Sequence, residues 1–271
     1  MAITTADGLI AAARQQIPYT KTQSATSVAA QWHTLLDRAG TPGAGSLAVG
    51  NTTAGVLVTD ATAGFPTINA FGPGNTGYLH TIQYGSTVAG RLELKDRLLW
   101  HAGSVSATAL ATTTFTGQPS ATGRMPDGAG VGCEIWVEIN TTFSATATTV
   151  AVAYTNSDGV AARTTGASGS LSGYVTGRLV QLPLQAGDKG VRQIDSVTVG
   201  GTVATAGTFN VVLSRPLWEA GRVPVANGGD VHGPDRTGLV EVYDTSALWM
   251  IAAADSTSTG VPDALITIAN G

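Results

Sequence analysis

Glu134, Trp136 and Glu138 alternate with Cys133, Ile135, Val137 and Ile139, which places two carboxylates and an indole on one face of a β-strand. An indole can stack on a pyranose ring, and flanking carboxylates accept hydrogen bonds from its hydroxyls, so these three residues form a candidate glycan face. The carboxylates are four residues apart, roughly 13 Å between backbones. A glycosidase holds its pair about 5–9.5 Å apart, so the spacing favours binding over hydrolysis. A strand facing solvent or another subunit, anchored by Trp136, explains the same pattern without a sugar. A second set of polar residues, Asp230, His232 and Asp235, could hold a divalent ion through carboxylate oxygens. The glycines and Pro234 around them account for that loop without an ion.

Other chemistries lack their residues. Gly72-Pro73-Gly74-Asn75-Thr76-Gly77 has the spacing of a dinucleotide fingerprint, whose mechanism needs a helix starting at the third glycine. Tyr78-Leu79-His80-Thr81-Ile82 follows instead, so the motif reads as a tight turn before a strand. There is no P-loop spacing and no Gly-x-Ser-x-Gly nucleophile elbow. His33, His80, His101 and His232 are scattered, without a metal-binding pair. The lone Cys133 excludes an internal disulfide and a multi-cysteine metal site, and reads as a small buried hydrophobe. The residues therefore point to a chain that is not an enzyme and takes no cofactor or metal.

The elements that must position these residues change character along the chain. Residues 6–16 are Ala-rich and helical in composition, with Pro18 as the stop. Ser27 can cap a second helix carrying Val28, Trp32, Leu35, Leu36 and Ala39 on one face, ended by Gly40 and Pro42. Residues 1–45 are thus expected to form a helical N-terminal arm. From residue 46 to 271 the expectation is an antiparallel β-sandwich, jelly-roll-like, with room for two small β subdomains.

Eleven stretches alternate or are β-branched: Val56–Thr59, Tyr78–Tyr84, Arg91–Trp100, Cys133–Thr141, Thr148–Thr155, Tyr174–Leu184, Val191–Val199, Thr208–Ser214, Leu239–Asp244, Ala247–Ala252 and Ala264–Ala269. Leu92, Leu94 and Leu98 oppose Arg91, Glu93, Lys95 and Arg97, which reads as a solvent-facing charged stripe. Asn156-Ser157-Asp158-Gly159 has the chemistry of a hairpin turn. Residues 101–130 and 220–237 read as long loops of the kind that is functional or ordered by a partner.

Composition bounds the partners. Charged residues make up 12% of the chain, against about one quarter in ordinary soluble domains. The 39 threonines and 35 glycines take their place. Net charge is −4 with no basic stripe, which excludes a nucleic-acid surface. No membrane-length apolar stretch and no signal peptide is visible, so no membrane partner is expected, and synthesis and retention in a cytoplasm are. The sequons at Asn51 and Asn140 are then coincidental in a Thr-rich chain. A surface with few charges to desolvate is one suited to contact with a flat partner or with copies of itself.

The opening MAITTADGLIAAARQQ, the helical segment near Trp32 and the long Thr/Ala/Gly-rich β-region together resemble the virion structural proteins of tailed bacteriophages, head decoration (cement) proteins most of all. The resemblance implies no enzymatic activity and a symmetric homo-oligomer, often a trimer. It also implies attachment to a major capsid protein on the capsid exterior. A tail or baseplate component and a glycan-binding β-sandwich module are the alternatives. Apolar residues in segments with little core of their own are the candidate contacts. They are Ile3, Leu9, Ile10, Ile17 and Tyr19 in the arm, Trp32 and Leu36 on the second helix, and Trp218 beside the second long loop.

Overall fold

The computed structural model of the protein describes residues 3–48, 53–106 and 108–271; Asn51 and Thr52 of the first sequon lie outside the described residues. The chain opens with helix α1 (Ala6–Ala11) and strands β1 (Ala13–Lys21), β2 (His33–Thr34), β3 (Gly40–Thr41) and β4 (Val56–Leu57). β5 (Gly77–Ser86), β6 (Gly90–Ser106), β7 (Thr112–Thr114), β8 (Glu134–Thr141), β9 (Thr148–Asn156), β10 (Arg163–Thr164), β11 (Leu179–Leu182) and β12 (Val191–Gly201) follow. β13 (Thr208–Val223), β14 (Gly228–His232), helix α2 (Pro234–Thr237), β15 (Glu241–Val242), β16 (Leu248–Ala254) and β17 (Pro262–Asn270) complete it.

Two compact units divide these elements. Unit 1 comprises the chain up to Gly45, Thr59–Asp96 and Leu217–Gly271; unit 2 comprises Ser46–Val58 and Arg97–Pro216. β6 and β13 each contribute residues to both. Each strand pairing whose register is described is antiparallel, as the alternation predicts.

In unit 1 one layer has the order β14-β5-β17-β1-β3, with β15 also on β5. The other contains β16 paired with β6 in the register Leu248↔Asp96 to Ala254↔Gly90, and β2 on the far side of β16. Ile17, Leu79, Ile82, Ile266 and Ile268 from the first layer meet Leu92, Leu94, Leu217, Leu248 and Met250 from the second in one buried cluster. In unit 2 the layer β10-β9-β12-β7 contributes Val150, Val152, Tyr154, Ile194 and Val197 to a core shared with Ile135, Val137, Val211 and Leu213 of β8 and β13. Cys133 is buried in the same cluster. Each unit is thus a two-layer β-sandwich whose inward faces follow the period of two.

All eleven alternating stretches contain a strand, but the helical arm is a correction. α1 stops at Ala11, and Ala13–Lys21 is instead a strand inside the unit 1 sheet. It pairs with β17 from Ala13↔Asn270 to Thr20↔Asp263, burying Ile17, Tyr19 and Lys21 on one face. A helix this short is marginal in water, and a long ladder that buries three side chains outcompetes it. Pro18 is tolerated because β3 pairs only with Thr20 and Lys21, leaving its other side open.

The expected second helix does not form either. Ala30 has φ 60 and its amide donates to Ala254 O, while His33 and Thr34 pair with Ala252 and Ile251. Leu35 and Leu36, expected on the face of that helix, are both fully buried in this non-helical segment. Leu36 fits because Gly64, at φ +95, has no side chain: a Cβ there would lie 2.5 Å from Leu36 Cδ1.

The two expected long loops also carry order. Residues 101–106 extend β6, and β7 lies in the same stretch. Residues 220–237 hold the end of β13, then β14 and α2.

Candidate functional site: buried polar residues and an exposed edge

β8 places its odd residues in the unit 2 core, and Glu134, Trp136 and Glu138 on the opposite face, as the alternation requires. That face is covered, which corrects the glycan platform. Trp136 is 1% exposed and Glu138 fully buried. Glu138 takes a bidentate pair from Arg97, Nη1 at 2.8 Å and Nη2 at 2.7 Å. Asn210 Nδ2 donates to Glu138 Oε2 at 2.9 Å and to Leu47 O at 2.7 Å. The Arg97 guanidinium lies 3.9 Å from the Trp100 ring centroid. Glu134 is occupied as well: Trp136 Nε1 donates to one oxygen at 2.9 Å and Gln181 Nε2 to the other at 2.8 Å. A buried ion pair survives when such bonds satisfy its remaining donors and lone pairs. These carboxylates tie strands of one sheet together, and Trp136 has no open ring face for a sugar.

The charged stripe on β6 is corrected for the same reason. Arg91 is exposed, but Lys95 and Arg97 are fully buried. In unit 1, Lys95 Nζ lies 3.1 Å from Glu93 Oε2 and 3.1 Å from Glu219 Oε1. Asp96, also buried, accepts from Ser246 Oγ at 2.8 Å and from the Ala247 amide at 2.9 Å.

The Asp230–Asp235 stretch is the end of strand β14 and the start of α2. Trp218 Nε1 donates to His232 Nδ1 at 2.9 Å, so that nitrogen is an acceptor and the ring hydrogen sits on Nε2. Tyr84, Trp218 and His232 pack edge to face, with centroids 4.7–5.4 Å apart. Asp230 Oδ2 lies 3.4 Å from His232 Nε2 and accepts from Arg236 Nη1 at 3.2 Å. The Val231 amide, donating to Asp230 Oδ1 at 2.8 Å, is the main reason this carboxyl titrates below its ordinary range. Among the described residues no group of three or more His, Cys, Asp or Glu side chains converges as a metal site would. The Gly72–Gly77 motif is a turn, with the Asn75 amide donating to Gly72 O before β5 begins.

Half of the candidate contact residues are core. Ile17, Tyr19, Leu36 and Trp218 are 0–3% exposed. Trp218 is accommodated by Gly221, where a Cβ would lie 2.2 Å from the indole. Trp32 is half-buried, with the Arg91 guanidinium 5.0 Å from its ring centroid. Ile3 and Leu9 are half-buried, and Ile10 is 73% exposed. α1, which carries Leu9 and Ile10, buries none of its residues; Thr5 caps it by accepting from the Gly8 amide at 3.0 Å. The exposed apolar residues also include Leu110, Val131, Val160, Val225 and Val231. Among the described residues no helix is long and apolar enough to cross a membrane.

No protein-family model matches the chain, and no curated protein matches it. Among solved structures, the infectious bursal disease virus VP2 subviral particle aligns at 10% identity and TM-score 0.20, covering 95% of this chain and 80% of that chain. A structure of the infectious bursal disease virus Gx strain aligns at 9% identity and TM-score 0.16 over the same shares. Likeness at this level assigns neither family nor function.

Proposed function

We propose that the chain is a non-catalytic structural protein of a virus particle, held in place by protein–protein contact and assembling as a closed homo-oligomer. The observation that carries this reading is α1: a capped helix with no buried residue, presenting Ile10 to solvent beside half-buried Leu9 and Ile3. A six-residue helix gains nothing from such exposure in an isolated chain. The low charge content supports the same reading, because few ions must be desolvated when copies meet. The carboxylates and imidazole that chemistry would need are engaged inside the two sandwiches.

A trimer on a capsid lattice is the arrangement proposed, with attachment at junctions between major capsid subunits. Sedimentation velocity over a hundredfold range of concentration tests the first part. The wild type is expected to form one closed oligomer and Ile10→Asp to remain monomeric with an unchanged circular dichroism spectrum. A wild type that stays monomeric throughout overturns self-assembly. Cosedimentation with capsids and with isolated tails of the same particle tests the second part, since a tail or baseplate position would bind only the latter.

A further inference from the structure

We propose that the open edge of unit 1 beside β14 is a docking groove for an extended peptide segment bearing carboxylates. This goes beyond the assembly role above and uses none of the residues of α1. β14 ends its sheet, paired on one side with β5 in the register Gly228↔Ser86 to His232↔Ile82. The Val231 amide is turned away from β5, since it donates to Asp230 Oδ1. Alternation then gives Gly229 and Val231 the outward backbone groups of that edge. Val231 is 54% exposed, and Val225 in the preceding turn 63%.

Beside this edge lies an open groove of about 550 Å³ bounded by Arg222, Pro224, Asp230 and Arg236, with Tyr84 and His232 at its base. Arg222 is exposed, and its guanidinium has no hydrogen-bonding or ionic partner among the described residues. Arg236 shares Asp230 and remains 56% exposed. His232 Nδ1 is taken by the Trp218 indole. Two cations and one carboxylate thus line an apolar-walled groove in a chain whose net charge is −4.

Each part matches one feature of an acidic strand. The outward amide and carbonyl groups pair with its backbone, Ala220 and Pro224 take an apolar side chain, and the Arg222 fork takes a carboxylate. Asp230 covers the Val231 amide in the free protein, which protects the edge from indiscriminate pairing. An incoming strand displaces that carboxylate, so Asp230 opposes binding while Arg222 favours it.

Opposite signs at neighbouring residues make the test specific. The probe is a fluorescein-labelled hexapeptide of alternating Val and Glu, read by anisotropy against the full chain at low salt. Arg222→Ala is expected to weaken binding about tenfold or more, as is a peptide with Gln for Glu. Asp230→Ala is expected to tighten it several-fold, and a peptide N-methylated on alternate amides not to bind. Unchanged affinity for Arg222→Ala, equal binding of the N-methylated peptide, or weaker binding by Asp230→Ala overturns the proposal. So does absence of binding to both wild type and Asp230→Ala. Self-association that Arg222→Ala abolishes, without peptide binding, would make a second copy the occupant and overturn the acidic-peptide assignment. Ile10→Asp is expected to bind the peptide normally, which separates this result from failure of the assembly role.

Discussion

Arg97 and Glu138 form the most consequential side-chain pair in unit 2, because both are fully buried and each answers the other's charge. Asn210 fills the second lone pair of Glu138 Oε2 and, through Leu47 O, ties the 46–58 segment to β13. Removing one member leaves an uncompensated buried charge, whereas replacing both removes the desolvation cost with the attraction. Glu138→Ala is therefore expected to lower unfolding free energy by about 3–5 kcal/mol. Arg97→Met with Glu138→Leu is expected to cost much less than that single change. Urea unfolding of the two singles and the double gives the coupling directly. Additive losses would show that the pair contributes packing and no mutual compensation. Glu134 serves as a contrast: it is half-buried, and its neutral analogue in Glu134→Gln keeps an acceptor for Trp136, so a loss below about 1.5 kcal/mol is expected there.

At the scale of elements, β1 decides what the N-terminus is. It is hydrogen-bonded along β17 and carries Ile17, Tyr19 and Lys21 into unit 1, while α1 buries nothing. Deleting residues 1–11 is expected to leave the thermal midpoint within a few degrees of wild type but to abolish oligomer formation. Deleting residues 1–21 is expected to unfold unit 1, since removal of an interior strand exceeds the marginal stability of a domain. Circular dichroism melting and sedimentation distinguish the two, and a folded 22–271 chain would overturn the role given to β1. The same element shows what the sequence conveys. Period-two alternation was legible wherever one face is core and the other polar, as in β5, β8, β9, β12 and β17. It failed at β1, where Ala, Arg and Gln mimic a helix until the distant partner β17 is known, and at Gly-rich β14. Alternation also assigns faces without saying whether a second layer covers them. Trp136 and Glu138 were placed on the right face and misread as exposed for that reason. The groove beside β14 joins residues 84, 222 and 236, a convergence set by sheet order and invisible along the chain.

For the molecule as a whole, the response to acid follows from groups held in their less protonated forms. His101 is fully buried against Phe115, ring centroids 4.2 Å apart, and burial pushes its titration from 6.5 down to about 4, partly offset by Gln118. Because the folded value lies below the unfolded one, the unfolded chain binds more protons between them. Stability therefore falls as pH drops from about 6.5 to about 4, by about 3 kcal/mol from this residue. His80, lowered by its partial burial and by Arg14, adds in the same direction. A second window lies lower. Hydrogen bonds from Arg163, then Tyr154 and Asn156, hold the Asp188 carboxyl at about 2. Its contribution is present above the ordinary carboxylate range and is lost as pH falls through about 2. Asp195 works against this window, because burial raises its titration and the folded state takes up its proton first. Urea midpoints measured between pH 7.5 and pH 2.5 are expected to fall in two stages. His101→Phe, which keeps the ring contact with Phe115, is expected to flatten most of the upper stage and leave the lower intact. Asp188→Asn is expected to do the reverse. An upper stage that persists in His101→Phe would place the sensitivity on other groups and remove the account built on its burial.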